Sequence, residues 1–204
     1  MGYPITTRGF VMYAGRIRVG RLVMYAMAGV LALGGCGGQA PSGAGTMPAG
    51  PTATATALPL TIPEPKGASL LTISGKIGAG NKGDEMVLDE DAVAGLAKLE
   101  LTFTDPFQKK TLTLKGVWMA DLLAAVEVSD AAQSIHMTAL DDYVIDFTIA
   151  EVRAGGMFLG VADQNGARLS LENGGPTRIV FVDGTPAGAN SDKWIWSLAT
   201  IEVT

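Results

Sequence analysis

Between residues 37 and 66 the chain changes character, because this stretch holds six of the ten prolines found in 204 residues. Five glycines, six alanines and five threonines fill most of the rest. So little large apolar surface cannot offset the entropy of ordering the segment. Proline favours extended backbone, so a partly stiff tether with a reach of about 30 Å is expected. The Ala-Thr alternation from Thr52 to Ala57 has strand character, but the flanking prolines oppose it. Any packed core must therefore lie to one side of this stretch, and the two sides differ sharply.

Residues 1–36 carry Arg8, Arg16, Arg18 and Arg21 and no acidic residue. The uncharged run Leu22 to Gly35 follows, then Cys36, the only cysteine in the chain. Fourteen residues suit the apolar core of a signal peptide, whereas a spanning helix needs about 20. Three of the arginines would remain if translation began at Met12. Leu33-Gly34-Gly35-Cys36 resembles a bacterial lipobox, which implies cleavage before Cys36 and lipidation of the new N-terminal cysteine with palmitate-type acyl chains. One acyl chain anchors a protein marginally, and a second signal makes the anchoring stable. The expectation is a lipoprotein held on the outer face of a cytoplasmic membrane or in an outer membrane. The competing reading is an uncleaved membrane helix with an incidental cysteine.

Residues 67–204 are long enough for one domain with a real core. They hold ten Lys plus Arg against nineteen Asp plus Glu, a net charge of −9. Nucleic-acid binding needs a basic face to replace counterions, so that class is excluded. Anionic ligands would need a local basic pocket.

Strand and helix patterns alternate along this domain. Ser69 to Ile77 reads as a strand, and Asp89 reads as the cap of a helix over Glu90 to Leu99 that buries Val93, Leu96 and Ala97. Leu99, Leu101 and Phe103 alternate with polar residues in the period of a half-buried strand that Asp105-Pro106 ends. Extended character resumes at Thr111 to Leu114. A helix after Gly116 is expected to bury Leu122, Leu123 and Val126 and to face Asp121 to water. Ser134 to Leu140 and Tyr143 to Phe147 read as a hairpin around Asp141-Asp142. A helical turn over Ala150 to Arg153, strands at Met157 to Ala162 and Arg178 to Val182, and a tail of Lys193 to Trp196 and Leu198 to Val203 complete an α+β, mixed-sheet, strand-rich domain with short helices.

Six segments in this order resemble the molybdopterin-binding domain of the sulfite-oxidase family of oxidoreductases. They are Leu71–Lys76, Leu114–Leu123, Ala139–Tyr143, Gly174–Val180, Lys193-Trp194 and Ala199–Val203. The resemblance implies a mixed α+β fold burying a molybdenum–pterin cofactor, with the metal held by a cysteine thiolate on a loop before the Gly116 region. The matching stretch here is Thr104-Asp105-Pro106-Phe107-Gln108, which has no cysteine. A carboxylate does not replace a soft thiolate. Cys36 lies about 70 residues away and is assigned to the lipid anchor.

The resemblance places Arg178 and Lys193 near the cofactor's phosphate end, and Tyr143 is a third candidate for that site. Arginine can clamp a phosphate with two bonds and lysine adds a point charge. The competing reading of both is an internal ion pair with an acidic residue. No catalytic residue and no metal ligand is assigned. His136, the lone histidine, has no second histidine or cysteine to build a zinc site with and no nucleophile elbow to serve. Asp141-Asp142 reads as a turn or an acid pair, and Asp163-Gln164-Asn165-Gly166 reads as a turn without calcium-loop spacing. Trp118, Trp194 and Trp196 read as packing aromatics.

The leading expectation is a membrane-anchored lipoprotein whose domain keeps this fold without metal ligation and serves as a binding or accessory module. Its partners would be the membrane through the lipid, and a small ligand or an envelope protein. A molybdopterin-dependent oxidoreductase holding its cofactor without a cysteine is the alternative, and a purely structural envelope protein is a third.

Overall fold

The computed structural model describes residues 60–204. The expected signal segment, Cys36 and residues 37–59 of the expected tether lie outside the described residues. Among the described residues nine strands form two sheets. In chain order the elements are β1 (Leu71–Gly75), β2 (Met86–Leu88), α1 (Glu90–Gly95), β3 (Leu99–Asp105), β4 (Lys110–Trp118) and α2 (Met119–Ala125). Then follow β5 (Ser134–Ala139), β6 (Val144–Thr148), α3 (Ile149–Arg153), β7 (Met157–Asp163), β8 (Arg178–Phe181), α4 (Pro186–Ala189) and β9 (Leu198–Val203).

One sheet has the order β2-β1-β9-β5-β6, and the other has the order β3-β4-β7-β8. β9 pairs in parallel with β1, Ile73 opposite Ile201, and antiparallel with β5, Met137 opposite Ile201. The C-terminal strand thus sits in the middle of its sheet. The second sheet is antiparallel throughout, with a register shift at Lys115/Gly116 where β4 meets β7. A side chain at Gly116 would run into the Leu159 carbonyl, so only glycine fits that close approach.

One buried cluster draws on both sheets: Ile73, Ile135 and Ile201 from the first and Phe103, Leu159 and Val180 from the second. α2 adds Met119, Leu122 and Leu123, and the following Val126 completes the expected stripe. Phe147 on β6 meets Phe181 on β8 at 6.1 Å between ring centroids. β3 shows the alternation its sequence predicts, ending on buried Phe103 and Asp105.

The caps follow local chemistry. Asp89 accepts the Ala92 N–H at 3.0 Å, and its other oxygen accepts from Lys66 N at 2.7 Å and Gly67 N at 3.0 Å. These backbone donors, Ala92 first, hold the Asp89 carboxyl below its ordinary pKa. Thr148 and Glu151 form a reciprocal capping box on α3.

Three expectations need correction. α1 ends at Gly95, because Leu99 belongs to β3 and pairs with Gly116. Asp121 is half-buried beside the core, and desolvation raises its pKa. The tail Lys193 to Trp196 is not a strand: Ser191–Lys193 is a 3-10 turn and the next residues are irregular. Among the described residues no helix is long and apolar enough to cross a membrane.

Candidate functional site

Asp105 ends β3, and its carboxylate is fully engaged. Oδ1 accepts the Phe107 N–H at 2.9 Å and the Gln108 N–H at 2.8 Å, closing the turn that Pro106 begins. Oδ2 accepts from Arg178 Nη2 at 2.7 Å. The side chains are 0% and 1% exposed, so this is an ion pair without solvent. Arg178 Nη1 also donates to the Asn173 carbonyl at 3.2 Å, while Nε has no hydrogen-bond partner. Burial pushes the guanidinium's pKa down, and the bond and charge of Asp105 oppose that.

Two segments run side by side to wall in this pair. Ser197 N donates to Gly174 O, Leu198 N to Thr177 O and Ile179 N to Ile195 O, at 2.8, 2.9 and 2.9 Å. Their alignment lays Trp196 over Arg178, with the guanidinium carbon 4.5 Å from the ring centroid. Gly174 takes a left-handed φ of 78°, and a Cβ there would stand 2.8 Å from Trp196 Cγ, so the indole has room only because glycine occupies this position. Trp194 packs inward on Phe103 at 5.5 Å and Phe181 at 5.6 Å, its Nε1 donating to Gly188 O.

Outside this wall lies an aromatic cleft of about 370 Å³ lined by Phe107, Asp141, Tyr143, Trp194 and Trp196. Phe107 comes from the Asp105 turn and stands edge-on to Trp196, at 5.8 Å and 83°. Tyr143 comes from the β5–β6 hairpin and is tied to the Asp192 carbonyl through its hydroxyl at 2.7 Å. Phe107 and Tyr143 are 54% and 42% exposed, unusual for side chains of their size. A second cavity, of about 300 Å³, includes Arg178 in its lining, which is mostly polar and includes Gln108, Thr111, Thr113 and Asn165.

The three residues expected at the cofactor site do not converge. Tyr143 lines the aromatic cleft, and Arg178 lies beneath its wall, closed by Asp105. Lys193 turns away: Nζ donates to the Asp146 carbonyl at 3.0 Å and lies 4.4 Å from the Phe147 ring centroid, with Glu151 at 4.0 Å. His136 meets Asp146 across β5 and β6 at 2.5 Å on the exposed surface. Asp142 sits at φ 64° in the hairpin turn, and Asp163 closes its own turn by accepting from Asn165 N and Ala167 N. Trp118 packs edge-on against Phe158, 5.1 Å away. Among the described residues no three His, Cys, Asp or Glu side chains form a metal-holding cluster. Sequence reasoning missed Phe107 and took Trp196 for packing alone; an aromatic directly after an Asp-Pro turn was the available signal.

Fold and site together define an α+β domain of two sheets, with an aromatic cleft above a buried charge pair. Residues 102–204, half of the chain, match the model of the oxidoreductase molybdopterin binding domain, and the chain belongs to that family. This is the family expected from the Leu114–Leu123 and Gly174–Val180 segments. Among solved structures, the sulfane dehydrogenase SoxCD from Paracoccus pantotrophus is similar at 16% identity and a TM-score of 0.47. The similarity covers 65% of this chain and 37% of that one. No curated protein matches the sequence.

The described residues do not fit a thiolate-held molybdenum cofactor. Asp105 lies in the Thr104–Gln108 stretch that the resemblance matches to the cysteine loop, and both of its oxygens already accept hydrogen bonds. A hard carboxylate locked in a turn and an ion pair offers no soft ligand. Neither Arg178 nor Lys193 presents an unengaged cation to a phosphate.

Proposed function

We propose that this protein is a lipid-anchored extracytoplasmic lipoprotein whose molybdopterin-family domain is a non-catalytic binding or accessory module. The observation that carries the reading is the buried Asp105–Arg178 pair, a closed salt bridge made by the Thr104–Gln108 stretch, where the resemblance leads one to expect a cysteine. Family membership accounts for the fold, and function must be argued from the site. Anchoring is argued from the lipobox-like Leu33–Cys36 and the proline-rich tether, and the partner would be a small ligand or another envelope protein.

Protein purified from a host that makes molybdopterin tests the first part. Metal analysis is expected to find far less than one molybdenum per chain, and stoichiometric molybdenum overturns the reading. Labelled palmitate is expected to enter the wild-type chain and not Cys36→Ser; equal labelling of both removes the anchor.

An oxidoreductase that holds its cofactor without cysteine ligation is the second reading. It is favoured by Arg178 Nε, a buried donor without a partner beside the polar cavity. Molybdenum that is present in the wild type and lost in Arg178→Lys would support it.

A further inference from the structure

We propose that the cleft framed by Phe107, Tyr143, Trp194 and Trp196 binds a small alkylated-ammonium cation, with Asp141 as its counter-charge. This rests on the reading that the domain holds no molybdenum–pterin cofactor. Aromatic faces carry negative potential and attract cations, most strongly where water is excluded. Phe107 and Trp196 meet at 83°, so a ligand in the corner between them touches two ring surfaces at once. The cleft, at about 370 Å³, has the size of a small-molecule site.

Charge selects the ligand. Asp141 lines the cleft, and its carboxylate accepts only one long bond, from Tyr143 N at 3.3 Å. No Lys, Arg or His among the described residues comes within ion-pair distance of it. Arg178 and Lys193 are engaged elsewhere, Arg178 by the Asp105 carboxylate and Lys193 by a hydrogen bond to the Asp146 carbonyl and by Glu151 at 4.0 Å. An anion would therefore enter a cleft whose one charged group repels it, in a domain of net charge −9.

A metal cation is the wrong guest, since four rings and one carboxylate cannot replace a hard ion's hydration shell. A quaternary or tertiary ammonium holds its water weakly and presents methyl groups to the rings. Trp196 already shows the preference on its inner side, where the Arg178 guanidinium lies against it.

Titration of the full-length chain with tetramethylammonium and choline, followed by tryptophan fluorescence and calorimetry, tests the proposal. Saturable binding in the millimolar range or tighter is expected, with sodium chloride at equal ionic strength inactive. Asp141→Asn and Phe107→Ala alter the exposed rim and should each weaken binding about tenfold, the scale of one desolvated cation–π or charge contact. The uncharged isostere 3,3-dimethyl-1-butanol should bind far more weakly than choline. Equal binding of that alcohol, an unaffected Asp141→Asn variant, or no saturation overturns the inference. Molybdenum is measured on the same sample. A metal-free protein that ignores both cations sinks this inference alone, whereas stoichiometric molybdenum sinks the reading beneath it as well.

Discussion

Two polar side-chain pairs in this domain meet at similar distances in opposite surroundings. Arg178 and Asp105 meet at 2.7 Å with side chains 1% and 0% exposed, while His136 and Asp146 meet at 2.5 Å with 44% and 71% exposed. In water the Coulomb attraction is weak and the cost of holding two side chains together nearly cancels it. Inside the protein each charge has lost its hydration, so neither partner can be removed alone without stranding the other. Similar distances therefore predict very different consequences.

The largest effect should come from Arg178→Ala, which leaves the Asp105 carboxylate buried and unpaired. A loss of about 3–5 kcal/mol is expected, lowering the thermal midpoint by roughly 10 °C or more. A calorimetric shift of only a degree or two would place Asp105 in contact with water and dissolve the contrast.

Replacing both partners sharpens it. Asp105→Asn with Arg178→Met keeps an acceptor for the Phe107 and Gln108 N–H groups and removes both charges. Denaturant unfolding should show the double variant well above Arg178→Ala, because a buried pair replaced together is often neutral. A double variant as unstable as the single one would mean that the pair stabilises the fold outright.

Asp89 supplies an intermediate case, a carboxylate held by backbone donors instead of a cation. Its pKa is lowered in the folded state, so its stabilisation is present above the ordinary value near 3.8 and is lost as pH falls through the folded value. Asp89→Asn should lower the melting temperature at pH 7 and flatten its decline as pH falls below the ordinary value near 3.8. Parallel melting curves for the two proteins across that window would refute this.

The smallest effect is expected from His136→Ala, within about 0.5 kcal/mol at neutral pH. A larger loss in chemical denaturation would show the exposed pair to be coupled to the β5–β6 hairpin.

Much of the fold was legible because its signals are local. The alternation of Leu99, Leu101 and Phe103 marked β3, Asp89 marked the start of α1, and Asp141-Asp142 marked the hairpin turn. Lys193 to Trp196 misled because aromatic and apolar residues favour strands, yet that segment walls the site as irregular chain. The candidate site was less legible. Trp196 read as a packing aromatic and Phe107 drew no reading, since nothing within ten residues of either names the other as its neighbour.

The sequence by itself determined that an arginine-bearing, acid-free stretch and a proline-rich stretch precede an acidic remainder. It also determined that no cysteine lies within the Thr104–Gln108 stretch, and it marked the family through short segments in order. Composition, period and residue identity are properties of neighbouring positions and survive without a fold. Only the tertiary structure decided that β9 lies between β1 and β5, that Asp105 meets an arginine 73 positions away, and that Phe107, Asp141, Tyr143 and Trp196 share one cleft. Those facts depend on which buried charge or ring finds which partner across the core, and chain proximity carries no information about that choice.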